Sequence, residues 1–206
     1  MRIFFDTEFT GLRKNTTLIS IGLVAEDGRK FYAEFTDYNE RMCDDWIRLN
    51  VLGNLFLHKA TETPDDKTLY VIDTKDGIAC ELTNWLQQFY SIEFVSDVCH
   101  YDMVLLVDLL SYGGTAFDLP AKIPAVCHDL NQDIARHYGI SDEKAFDMSR
   151  EDMVKDLCAA EIPGRKHNAL YDAEVIKAIY NEIGGKKHDN QGFSGSTVRG
   201  CRDQGC

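Results

Sequence analysis

Two acidic residues near the amino terminus are spaced for joint chemistry. Asp6 and Glu8 lie two positions apart after residues 2–5, which are apolar except for Arg2 and form a run that is typical of a buried strand. Side chains two positions apart on a strand point to the same face of the sheet. Two carboxylates that lose solvation on one face repel each other unless a cation lies between them. The pair indicates a metal site, although an exposed strand end with two solvated acids fits the same residues.

A histidine and an acid near the other end of the chain form a second candidate pair. His167 and Asp172 are five positions apart, which corresponds to about 140° on a helix, so they cannot share a helical face. They converge only if His167 lies on a loop before the helix and Asp172 on the second turn. Pro163 and Gly164 favour such a loop. The alternative is a helix cap region with a surface histidine.

A third acid, Asp102, is expected at the start of a helix that follows a short strand. The helix dipole favours a carboxylate in a first helical turn without any function. Asp97 and Asp108 are rivals for a functional role. We expect Asp97 within the strand, and Asp108 deep in the helix and facing away.

The elements that must position these side chains begin with strands and continue with helices. Hydrophobic patterning predicts a meander of three strands followed by a fourth strand, over residues 2–5, 18–25, 30–35 and 94–98. Helical periodicity and capping signals predict helices over residues 81–90, 101–110, 129–138, 149–160 and 168–183. Residues 40–75 are ambiguous, with a loop expected at residues 63–65 and a further loop at residues 111–124. This order predicts an α/β domain with a mixed sheet.

Composition sets the class of protein. The chain has 206 residues, of which 44% are hydrophobic and 27% charged, as expected for a globular domain. We assign that domain to residues 1–183 and a glycine-rich, flexible tail to residues 184–206. No uncharged stretch is long enough for a membrane span. Seven scattered cysteines, with no C-x-x-C pair and no secretory signal, predict reduced thiols and a cytoplasmic protein.

The net charge of the chain limits the ways in which it can bind nucleic acid. The sequence has 22 basic and 34 acidic residues, a net charge of −12, which argues against broad coating of nucleic acid. It does not argue against an acidic pocket loaded with divalent ions, because bound ions reverse the local sign. The basic residues beside the acidic motifs could contact phosphates or be solvated loop charges; they are Arg13, Lys14, Arg165 and Lys166.

The three acidic features together resemble the DEDDh (DnaQ-like) 3′–5′ exonuclease family, in the branch of RNase T, oligoribonuclease and RNase AS. Residues 5–12 read FDTEFTGL, close to the family pattern D-x-E-x-T-G-L, and residues 167–173 read HNALYDA, close to H-x-A-x-x-D-A. In the middle motif, Tyr101 and Asp102 stand where F-D is commoner. The resemblance covers residues 1–183 and implies a ribonuclease-H-like fold.

The resemblance also implies roles for individual residues. Two Mg²⁺ ions, with Mn²⁺ as a substitute, would be held by the four carboxylates Asp6, Glu8, Asp102 and Asp172. His167 would take the proton from the attacking water. Phe9 and Leu12 would pack against the terminal bases of the substrate, although ordinary core packing fits these two side chains as well.

These roles imply a metal-dependent 3′–5′ exoribonuclease that releases nucleoside 5′-monophosphates from single-stranded RNA ends. The alternative is a 3′–5′ exodeoxyribonuclease of the proofreading type. A catalytically inactive nucleic-acid-binding module is a third possibility, which the intact set of acids disfavours. The resemblance further implies a homodimer.

Overall fold

The computed structural model describes residues 1–56, 67–158 and 161–184. Within these ranges the chain forms one mixed sheet with helices packed on both faces. Two predicted segments lie outside the described residues. They are the loop at residues 63–65 and the tail at residues 184–206, of which only Gly184 is described. No helix in the described ranges is long and apolar enough to cross a membrane.

Six strands in the described part of the chain form the sheet. Their bounds are β1 Arg2–Phe9, β2 Leu18–Ala25, β3 Lys30–Phe35, β4 Thr68–Asp73, β5 Glu93–Ser96 and β6 Cys127–Asp129. The spatial order is β4-β3-β2-β1-β5-β6. The pairs β1–β2 and β2–β3 are antiparallel, whereas β1–β5, β3–β4 and β5–β6 are parallel. The central position of β1 buries the strand that carries Asp6 and Glu8.

The helices begin at side-chain caps in most cases. Their bounds are α1 Asp45–Asn50, α2 Lys75–Gln87, α3 Cys99–Leu110, α4 Leu130–Tyr138, α5 Asp142–Phe146, α6 Arg150–Leu157 and α7 Ala169–Ile183. Short 3₁₀ turns span Glu40–Met42, Leu52–Asn54 and Ala116–Asp118. The side chain of Asn168 accepts hydrogen bonds from the backbone at the start of α7, which fixes where that helix begins.

Alternation along β1 divides its side chains between the two faces of the sheet. Ile3 and Phe5 belong to the core formed with α2 and α3, whereas Phe4 belongs to the core formed with α4, α6 and α7. Because side chains two positions apart share a face, Asp6 and Glu8 lie on the side of Phe4 and α7.

The predicted three-stranded meander is confirmed, and the helices predicted over residues 101–110, 129–138 and 168–183 are present within two residues of their bounds. The bounds predicted for three other elements were wrong. β1 continues through the acids to Phe9, α2 begins six residues before the predicted start, and α6 ends at Leu157. The sequence analysis missed β4, β6 and α5. The strand β6 has three residues and is defined by its neighbour β5, so no local pattern marks it.

Gly22 allows α7 to approach the sheet beside the acidic residues. It pairs with Asp6 across β1 and β2, and a Cβ atom added there would lie 2.3 Å from the backbone carbon of Ala169. Backbone atoms cannot give way cheaply, so the absence of a side chain at Gly22 sets the distance between α7 and the sheet.

We expect the substitution Gly22→Ala to lower the free energy of unfolding by about 3 kcal/mol and to reduce activity by displacing α7. Thermal unfolding and an activity assay measure the two effects. Gly53→Ala is the control, because among the described residues a Cβ there would meet the Arg48 carbonyl oxygen alone, at an ordinary contact distance of 3.7 Å. Wild-type stability of Gly22→Ala would contradict the close approach.

Candidate active site

Asp6 and Glu8 lie at the carboxyl end of β1 and face the first turn of α7. Glu8 retains 12% side-chain exposure. Oδ2 of Asp6 is fully buried and receives no hydrogen bond from the described residues. A buried carboxylate oxygen without a donor is costly unless a cation or a proton occupies its lone pairs. The alternative interpretation, in which Asp6 and Glu8 are solvated acids at an exposed strand end, is therefore wrong.

Asp102 lies in the first turn of α3 and is 1% exposed. Its two carboxylate oxygens accept hydrogen bonds from Oγ1 of Thr7, at 2.6 Å, and from Oγ of Ser96, at 2.5 Å. Thr7 is on β1 and Ser96 on β5, so neighbouring strands hold the carboxylate from two directions. Favourable interaction with the helix dipole alone does not account for a buried acid with two dedicated donors.

His167 and Asp172 converge in the way the loop hypothesis requires. His167 precedes the cap of α7, and its backbone N–H donates to Oδ2 of Asp172 at 2.8 Å. Asp172 lies on the first turn of the helix, one turn earlier than predicted. His167 has a left-handed backbone, with φ of 61°. Its Nδ1 is 3.8 Å from Oε1 of Glu8, and one ligand atom each of Glu8, His167 and Asp172 lies within 4.8 Å of the others.

Burial of the four acids changes their acidity. Burial raises the pKa of Asp6 well above its usual value, and the charges of Asp102, Asp172 and Glu8 raise it further. Burial raises the pKa of Glu8 in the same way, and it raises the pKa of Asp102 to about 7 and of Asp172 to about 8. Without a compensating cation, the cluster therefore retains protons near neutral pH.

The acids lie between two cavities. The larger cavity, of about 590 Å³, is bordered by Asp6, Glu8, Asp102 and His167 and is otherwise mostly apolar. The smaller cavity, of about 230 Å³, is also bordered by Asp6, Glu8 and His167 and extends to Asp172. The shared wall places the carboxylates of Asp6 and Glu8 within reach of a ligand in either cavity.

Phe9 and Leu12, the two predicted substrate contacts, both border the larger cavity. The ring of Phe9 stacks on Tyr101 with centroids 5.7 Å apart and is partly buried against the core, whereas Leu12 is 67% exposed at the rim. Trp46, which the sequence analysis missed, borders the same cavity and packs edge-on against His167 with ring centroids 4.9 Å apart. Its position on α1 in the ambiguous region gave no signal for this contact.

Asp97 and Asp108, the two acids considered as alternatives to Asp102, have different surroundings. Asp97 follows β5 rather than lying within it, borders the smaller cavity and accepts a hydrogen bond from Nε of Arg150 at 2.7 Å. Asp108 pairs with Nζ of Lys75 on α2 at 2.5 Å and borders neither cavity. Asp97 thus adds charge beside the four acids, which Arg150 offsets.

Comparisons with known proteins identify relatives that are named exonucleases. A protein of Mycobacterium tuberculosis named 3′–5′ exoribonuclease is 33% identical over 132 residues, which cover 64% of this chain and 73% of the relative; the same figures hold for a second strain. No protein-family model matches the chain.

Solved structures give the same picture of the fold. S. pombe Pop2p, in a form with Mg²⁺ and Mn²⁺ bound, has a TM-score of 0.55 and 17% identity over 91% of this chain and 84% of its own. A 3′-exonuclease that recognises the 3′ end of a histone mRNA stem-loop has a TM-score of 0.57 and 14% identity over 89% of this chain and 82% of its own.

The mixed sheet, with acids gathered at the end of its central strand, therefore has the ribonuclease-H-like fold that the motifs predicted. The mycobacterial relatives make the assignment narrower: the chain belongs to the DEDD-type 3′–5′ exonuclease family. It is accordingly an enzyme, a 3′–5′ exonuclease that hydrolyses phosphodiesters.

The raised pKa values predict how stability depends on pH. Groups such as Asp102 and Asp172, with a folded-state pKa of about 7 and about 8, bind protons that the unfolded chain has released. Their contribution is complete below the unfolded pKa of about 4 and is lost as pH rises through the folded value. With chelator present, we expect the melting temperature to fall between pH 5.5 and about 8.

Differential scanning calorimetry at several pH values measures this slope, with Asp6→Asn as the comparison. That substitution removes one of the repelling charges from the cluster, so the slope should become shallower. A melting temperature that rises over the same range in wild type would be incompatible with the raised pKa values.

Proposed function

We propose that this enzyme is a metal-dependent 3′–5′ exoribonuclease that releases nucleoside 5′-monophosphates from single-stranded RNA ends. The observation that carries the proposal is the convergence of four acids and a histidine around two adjoining cavities, of which Asp102 is buried and Asp6, Glu8 and Asp172 are partly buried. The RNA substrate is supported by the names of the mycobacterial relatives.

The donor set of the site fits divalent cations. Asp6, Glu8, Asp102 and Asp172 offer carboxylate oxygens, which Mg²⁺ and Mn²⁺ prefer, and the buried Oδ2 of Asp6 has no other partner in the described residues. We assign two ions to these four acids. When bound, such ions lower the pKa of a water molecule and stabilise charge on the phosphoryl group. The Mg²⁺ and Mn²⁺ of Pop2p support this choice.

His167 is assigned as the general base. Burial and the nearby charge of Lys166 lower the pKa of its imidazole, so the ring is neutral at pH 7 and has a nitrogen free to accept a proton. The contact with Trp46 restricts the ring on one side. The closeness of His167 to Glu8 and Asp172 also suits a metal ligand, which the experiment on His167 below distinguishes from a base.

The larger cavity is assigned to the terminal nucleotides. Phe9, Leu12 and Trp46 present apolar or aromatic surface to it, and stacking on such side chains tolerates any base. A homodimer that shapes the groove stays a prediction, as does the glycine-rich, flexible tail at residues 184–206.

The first experiment compares 3′-end degradation of matched single-stranded RNA and DNA oligonucleotides with Mg²⁺ and with chelator. We expect faster cleavage of RNA, release of 5′-monophosphates, and loss of activity with chelator or in Asp6→Asn. Asp108→Asn is the matched control, because Asp108 lies outside both cavities, and it should retain wild-type activity.

Two results would contradict the proposal in different ways. Equal or faster cleavage of DNA would favour the exodeoxyribonuclease alternative. Wild-type activity in Asp6→Asn would remove the acidic cluster from the chemistry.

A second experiment tests the histidine. We expect His167→Ala to lower kcat by about 10²- to 10⁴-fold while Mn²⁺ affinity, measured by calorimetry, stays within a few-fold of wild type. His137→Ala, an exposed histidine on α4, is the control. A parallel loss of Mn²⁺ affinity would identify the imidazole as a ligand rather than a base.

A further inference from the structure

The backbone of His167 is in a conformation that it would not adopt by itself. Its φ of 61° lies in the left-handed region, which is unfavourable for a residue that carries a side chain. Such a conformation persists only where neighbouring contacts determine it. The contacts on either side of His167 therefore decide where its imidazole lies.

Asn54 holds the chain on both sides of His167. Its side-chain Nδ2 donates to the carbonyl oxygen of Lys166 at 2.8 Å, and its own carbonyl oxygen accepts from Nδ2 of Asn168 at 3.0 Å. The same Nδ2 of Asn54 also donates to the carbonyl oxygen of Asn50 at 2.6 Å, so both of its hydrogens are used. One residue thus connects the positions before and after the histidine to the 3₁₀ turn Leu52–Asn54.

This turn is itself fixed to the sheet. Nδ2 of Asn168 also donates to the hydroxyl of Tyr32 at 3.2 Å, and that hydroxyl donates to Oε1 of Glu34 at 2.9 Å. The backbone N–H of Phe56 donates to the same Oε1 at 2.6 Å. Tyr32 and Glu34 are fully buried on β3, and burial raises the pKa of Tyr32 far above its usual range, so the tyrosine keeps the proton it donates.

The sheet register relates this network to the acids. Tyr32 pairs with Gly22, which pairs with Asp6, and Glu34 pairs with Ser20, which pairs with Glu8. Residues directly opposite each other on neighbouring strands share a face. The network therefore extends from the same face of the sheet that presents Asp6 and Glu8, and it spans from there to the loop that carries His167.

We propose that Asn54 is a positioning residue of the exonuclease, which sets the imidazole of His167 relative to the acids through its contacts with residues 166 and 168. The inference rests on the proposed role of His167 as base. Removal of the side-chain amide frees the Lys166 carbonyl and lets the left-handed backbone relax. A displacement of about 1 Å at a reacting group can cost about 100-fold in rate.

The test compares Asn54→Ala and Asn54→Asp with wild type on a single-stranded RNA oligonucleotide with Mg²⁺. Both variants lack the N–H donor to Lys166, and aspartate keeps the size of the side chain in case alanine fails to fold. We expect kcat to fall by about 10- to 100-fold, with KM and Mn²⁺ affinity within about 2-fold of wild type. Asn84→Ala, an exposed asparagine on α2, is the matched control and should be unchanged.

A double-mutant cycle with His167→Ala separates positioning from general destabilisation. If Asn54 acts through His167, then Asn54→Ala causes no further loss when the imidazole is absent. A full additional loss in the double variant would overturn the proposal, as would wild-type kcat in both Asn54 variants while His167→Ala is inactive. Wild-type activity of His167→Ala would instead refute the general base and leave Asn54 without a role.

The fluorescence of Trp46 gives a second readout that does not depend on turnover. Its ring contacts His167, whereas Trp85, the second tryptophan of the chain, is buried in the core with α2 and α3. We expect the emission to change in the same direction in Asn54→Ala and in His167→Ala. Unchanged emission together with unchanged kcat in Asn54→Ala would overturn the proposal.

Discussion

The constraint on which this structure depends is the electrostatic cost of bringing four carboxylates together out of water. Asp6, Glu8, Asp102 and Asp172 repel one another, and burial raises the pKa of each. Hydrophobic packing elsewhere must offset that cost while the cluster lacks cations. Positive charge bound between the four carboxylates lowers the free energy of the folded protein, because it relieves their repulsion. The binding of divalent ions would supply that charge.

The scaffold meets the constraint through a few close contacts. The central strand β1 carries Asp6 and Glu8 toward α7, and its neighbour Thr7 points to the opposite face and holds Asp102. Gly22 then allows the start of α7, and with it Asp172, to approach the same strand. Each acid is thus carried by an element that packs in the core, namely β1, α3 or α7.

The sequence predicted the parts of this arrangement that depend on local pattern. Alternation along β1 put Asp6 and Glu8 on one face, and the helix phase required His167 to precede α7. The donors to Asp102 could not be predicted, because Thr7 and Ser96 meet it only after two strands pair in parallel. The contact of Trp46 with His167 likewise depends on where α1 packs relative to the loop that carries His167, and the periodicity of the sequence does not indicate that position.

The acidity of the chain and its assignment as a nuclease are compatible for a specific reason. With a net charge of −12, the protein surface does not attract a polyanion over long distances. In the proposed mechanism, ions held by the four acids would attract the scissile phosphate, and the apolar cavity bordered by Phe9, Leu12 and Trp46 would attract the bases. Both contributions act only at the site, so a terminal nucleotide that enters the cavity is favoured over the rest of a strand.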